Sequence, residues 1–90
     1  MRIVWDEPKR LVNLVKHGID FGQFEATFDW SRVVFFPARP SPRTGRRRAK
    51  VLGLMSSGVV LAVLSPLGDE AISIVSVRPA SIRKRRAYAD

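Results

Sequence analysis

Apolar and polar positions follow two different periods along this chain. From residue 6 to 18, at about 100° per residue, Leu11, Leu14, Val15 and Val12 fall on one arc, and Lys16, Lys9, Asn13, His17 and Arg10 on the other. That spacing predicts a helix that buries the aliphatic arc and presents the polar one. Asp6 is its expected N-cap, Glu7 suits the first turn, and Pro8 is tolerated where N–H groups have no intrahelical partner. Gly18 can close the helix in the left-handed conformation. Asp20 is the expected cap of a second helix, on which Phe21, Phe24 and Phe28 recur at core spacing and which Asp29 and Trp30 close. Residues 2–5 and 32–36 read as strands, the second ended by Pro37. Residues 37–47, with three prolines, read as a mobile loop. Three strands follow as a meander, at 48–55, 59–65 and 70–78, joined by turns at 56–58 and 66–69. The middle strand is apolar on both faces and is expected at the centre of the sheet. A last, mostly polar helix starts after Ala80, with Ser81 as cap and Ile82 its strongest apolar residue. The order β-α-α-β-β-β-β-α defines an α+β fold, a mostly antiparallel sheet packed with helices. Ninety residues suit a single small domain, 1–90.

Composition adds little until charge is considered. Apolar content of 46% suits a globular chain, and the absence of cysteine excludes disulfides and thiolate chemistry. The apolar run 59–64 is far below the roughly 20 residues that span a bilayer. No signal peptide is expected, because residues 2–5 run straight into acids, so the chain reads as cytoplasmic with no membrane partner. Sixteen Lys and Arg against eight acids give +8. No acid stands between Asp29 and Asp69, whereas Arg32, Arg39, Arg43, Arg46, Arg47, Arg48 and Lys50 do, and Arg83–Arg86 form a second cluster. Two arginine-rich clusters point to a polyanion, nucleic acid ahead of an acidic protein partner or anionic lipid, since guanidinium groups grip phosphate bidentately.

Were the polyanion RNA and were it cleaved without a metal, the reaction would need a base near the 2′-hydroxyl, cations on the phosphate and an acid for the leaving oxygen. His17 is the only histidine, the one side-chain type that titrates near neutrality unaided, and it leads the acid–base candidates with Lys16 beside it. Helix capping is its competing role. Arg48 and Arg78, at a strand start and a strand end, are the expected phosphate clamps. Strict alternation puts Arg78 on one face with Ile72, Ile74 and Ser76. Its competing role is an ion pair with Glu7. Lys9 and Arg47 extend the basic substrate-binding surface. Tyr88 is placed either on a base or as an amphipathic anchor, and Asn13 either on substrate or holding backbone and orienting His17. Nothing calls for a cofactor or a metal.

The first helix resembles the start of the BrnT family of toxins from bacterial type II toxin–antitoxin pairs. That start reads roughly W-D-x-x-K-x-x-x-N-x-x-K-H-G, and Trp5, Asp6, Lys9, Asn13, Lys16, His17 and Gly18 match it. Ile74 through Ala80, followed by Tyr88, are similar to the family's R-I-I-S-A-R-x-A-x-x-x-E-R-x-x-Y, and Gly45-Arg46-Arg47-Arg48 partly to G-E-x-R. The resemblance implies a RelE-like ribonuclease fold and RNA cleavage that inhibits translation. It also implies a cognate ribbon-helix-helix antitoxin, BrnA-like, with operator DNA bound only through the toxin–antitoxin complex. Lys84 and Arg46 stand where the family has acids. A chain so altered could instead be a basic nucleic-acid-binding or antitoxin-binding module with weakened or no catalysis.

Overall fold

A computed structural model describes residues 2–89. Its elements are β1 (Arg2–Trp5), α1 (Glu7–His17), α2 (Phe21–Thr27), a 3₁₀ turn (Trp30–Arg32), β2 (Val34–Pro37), β3 (Ala49–Met55), β4 (Gly58–Leu67), β5 (Ala71–Pro79) and α3 (Ile82–Ala89). They build one five-stranded sheet in the order β1-β5-β4-β3-β2. β1 pairs parallel with β5, and every other pair is antiparallel. The α+β order expected from the sequence holds, with β4 at the centre.

The main core lies on one sheet face. Phe21, Phe24 and Phe28 pack there on Val51, Val60, Ala62, Leu64, Ile74 and Val77. The phenylalanine spacing was read as one helix, but α2 ends at Thr27 and Phe28 is extended, so its ring drops onto the sheet. An ideal Cβ on Gly53 would sit 2.5 Å from that ring, which is why β3 carries glycine there. The chain then turns through the 3₁₀ segment, whose cap Asp29 accepts from the Ser31 N–H at 3.0 Å. Arg32 therefore belongs to this turn and not to β2.

Helix α1 reverses its expected orientation. Asn13 is its only buried residue, while Leu11, Val12, Leu14 and Val15 are exposed. The cause lies at the sheet edge. β1 pairs with β5 only as far as Ile74, so the next outward-facing backbone groups of β5 need polar partners. Asn13 supplies them. Its Nδ2 donates to the carbonyls of Val77 (2.9 Å) and Ile19 (3.0 Å), and its Oδ1 accepts from the Val77 N–H (3.0 Å). Satisfying buried backbone outweighs hiding an aliphatic stripe, because an orphaned amide costs as much as a buried side chain gains. Asp6 has N-cap geometry but makes no side-chain cap bond, whereas Gly18 closes the helix at φ 72° as expected.

One further expectation changes. The proline-rich loop is tied together: Ser41 is buried, its Oγ accepts from the N–H groups of Arg43 and Thr44, and its own N–H donates to the Arg46 carbonyl at 2.9 Å. Helix α3, mostly polar as expected, is held through Tyr88 in its anchor role, while Ile82 is 61% exposed.

Candidate functional site

The sheet face opposite α2 carries the site. α3 covers one end of it, where Tyr88 packs with Leu52, Leu61 and Ala80, and its hydroxyl donates to the Arg32 carbonyl at 2.9 Å. The rest of the face is open. Cross-strand register places Lys50, Val63 and Ser76 in one row and Arg78 beside Leu61 in the next. Arg48, just before β3, follows the same alternation and stands on this face.

Arg78 reaches this face through an irregularity. Between the pairs Val63–Ser76 and Leu64–Ile74, β5 holds one extra residue, Val75. This bulge breaks strict alternation, so Ile74 and Val77 both enter the main core. Arg78 is thereby parted from Ile72 and Ile74 and kept with Ser76, a correction to the alternation expected from sequence. Its other expected partner is also occupied, because Glu7 pairs with Arg10, which binds Asp20 at 3.0 Å as well. Bonding to Glu7 holds the Arg10 guanidinium above its ordinary range. Both salt bridges among the described residues use Arg10, so the cations of the open face have no carboxylate partner there.

Where α1 meets this face there is a cleft of about 380 Å³, within the range of small-ligand sites. Its walls bring together Lys9, Lys16 and His17 from α1 with Arg43 and Arg48 from the loop side, over Val75 and Ser76. A second hollow continues from it, sharing Lys9, Arg43 and Arg48 and adding Arg46, Thr44, Ser65, Ser73 and one acid, Asp6. Four cations around one imidazole can bind successive phosphates while the ring takes a proton.

His17, Lys16, Lys9 and Arg48 are thus brought together. Arg78 flanks the cleft, two residues along β5 from Ser76 on the same face, rather than lining it. Arg47 lines neither hollow: its carbonyl accepts from the Ser65 hydroxyl at 2.8 Å and its side chain is exposed. Asn13 also lines the cleft, whereas Tyr88 lies outside both hollows. The Asn13 amide is spent on backbone, and the Tyr88 hydroxyl on Arg32. Arg43, which lines both hollows, is visible in the sequence only as one charge in a basic loop. The Ser41 turn that aims its segment has a composition signal, Ser-Pro-Arg-Thr-Gly, but no residue pattern gives the direction of the side chain. Lys84, standing where the resemblance expects glutamate, lies 5.1 Å over the Phe36 ring, and Arg46 enters the second hollow. Both departures add positive charge to the open face.

Comparison with known proteins bears on the family and the fold. A family model described as the ribonuclease toxin BrnT of type II toxin–antitoxin systems matches residues 5–84. The crystal structure of the Brucella abortus ribonuclease toxin BrnT is similar, with 34% identity and a TM-score of 0.72, covering 90% of this chain and 97% of that one. Curated protein sequences give no match.

Proposed function

The chain belongs to the BrnT family of ribonuclease toxins of type II toxin–antitoxin systems, and from that premise we propose that it is a metal-independent endoribonuclease working in the α1 cleft. The observation that carries the reading is the convergence of the lone imidazole with Lys9, Lys16, Arg43 and Arg48. His17 takes the proton of a ribose 2′-hydroxyl, whose oxygen attacks the adjacent phosphorus. The P–O5′ bond breaks, leaving a 2′,3′-cyclic phosphate and a 5′-hydroxyl. Arg48 and Arg43 stabilise the charge that grows on the phosphate oxygens, and the Lys16 ammonium protonates the departing oxygen. Arg78 and Lys9 hold flanking phosphates. Lys9, Lys16, Arg43 and Arg48 can together supply the charge stabilisation that the phosphate needs in the transition state. Loss of messenger RNA would stop translation, and a ribbon-helix-helix antitoxin, BrnA-like, would neutralise the toxin and carry the complex to operator DNA. Among the described residues no helix is long and apolar enough to cross a membrane, and the proposed place of action is the cytoplasm, where messenger RNA is.

Purified protein incubated with labelled RNA in EDTA tests this. Cyclic-phosphate products are expected, with His17→Ala and Arg48→Ala each lowering the rate by about 100-fold or more. Retention of intact RNA, weakened steeply by salt, would instead show a binding module without catalysis. That second reading draws on Lys84 and Arg46, which replace possible proton acceptors with cations.

A further inference from the structure

The outward face of α1 has no partner among the described residues. Val15 is 90% exposed, Val12 63% and Leu11 50%. A surface aliphatic cluster of this kind in a small domain marks an interaction site. The helix cannot roll to hide it, because Asn13 fixes its opposite side to β5 through Val77. A shallow depression between Leu11, Val12, Val15 and Lys16 indents the face. Val12 and Lys16 also line the cleft that holds His17. The apolar face and the cationic cleft therefore share a wall.

We propose that this face is where the antitoxin docks, through an amphipathic segment whose apolar side chains cover Leu11 and Val15 and whose acidic flank reaches the cleft. The proposal rests on the toxin–antitoxin reading for the existence of that partner. Charge selects the occupant. The chain carries +8, and the border shared with the cleft bears Lys16 and Lys9, so a complementary segment is acidic. A second copy of this chain would bring the same cations against them. A segment seated on Leu11 and Val15 lies over the shared wall and blocks RNA from His17, which joins binding to neutralisation.

The test uses the full chain and the purified product of the adjoining reading frame of its operon. Leu11→Gln and Val15→Gln alter exposed helix positions outside the cleft and leave RNA cleavage unchanged. Each is expected to raise the dissociation constant by about 10-fold or more, with Glu25→Gln on α2 as an inert control. Val15→Glu is expected to weaken binding more than Val15→Lys, since the partner's flank is acidic. Circular dichroism and unchanged melting temperature confirm folding. Dissociation constants within about twofold of wild type for both Gln variants would overturn the proposal. So would dimerisation of the isolated chain that Val15→Gln abolishes, which would assign the face to a second copy. Because complex formation is read by binding and not by activity, a chain that binds its partner but leaves RNA intact would count against the ribonuclease reading alone.

Discussion

Asn13→Ala removes the joint between the helix bearing His17 and the strand bearing Arg78. Three hydrogen bonds disappear: those to the carbonyls of Ile19 and Val77 and from the Val77 N–H. Asn13 is 5% exposed, so little water reaches the groups left behind. Each orphaned group costs about 1–3 kcal/mol, with carbonyls at the lower end. Taking roughly 1 kcal/mol for each gives a loss of about 3 kcal/mol. Against the roughly 5–13 kcal/mol typical of a chain this size, that is a large share of its stability. The melting temperature should fall by about 12–24 °C. Asn13→Asp discriminates further. It keeps the acceptor but turns the donor into a carboxylate oxygen facing two carbonyls, so at pH 7 it should cost more than alanine. Disfavouring the charged form raises that carboxyl's pKa in the fold, so its penalty is full above the raised value and relieved as pH falls and the group becomes a donor. Urea titration followed by the fluorescence of Trp5 and Trp30 gives both numbers. An alanine variant within about 0.5 kcal/mol of wild type, a tenth or less of that typical stability, or an aspartate variant more stable than alanine at pH 7, would refute the assignment.

Gly53→Ala should cost about 1–3 kcal/mol by denaturant titration, because its methyl group would meet the Phe28 ring at 2.5 Å. The Asp29 carboxyl is held below its ordinary value of 3.8 by hydrogen bonds from the Ser31 hydroxyl and N–H. Its cap therefore stabilises the fold above that ordinary value and is lost as pH falls through the depressed one. Asp29→Ala should lower the melting temperature near neutrality and have little effect in strong acid; an equal drop at both would contradict this. Arg78→Ala should weaken RNA binding and flatten its salt dependence by about one unit of slope, measured by binding at several salt concentrations, while leaving the fold intact. An unchanged slope would remove Arg78 from the phosphate contacts.

Much of this architecture was legible along the chain. The switch from helical to two-residue periodicity located the elements and the sheet. Asp20, Gly18 and the compact turns bounded them through interactions spanning only a few residues. Asn13 holds backbone, one of its two expected roles, and Tyr88 packs as an anchor on Leu52, Leu61 and Ala80. The cationic surface followed from the long run without acids.

Local pattern set what each segment is: α1 is amphipathic, β4 is apolar on both sides, and the loop between β2 and β3 is basic. Which side each segment turns inward was decided by tertiary structure. α1 shows its aliphatic side because β1 is short and leaves Val77 in need of an amide. Arg78 stands on the open sheet face beside the cleft because one extra residue in β5 resets the alternation. Both outcomes depend on backbone hydrogen bonding between strands and helices far apart in sequence, where residue periodicity carries no information about the available partners.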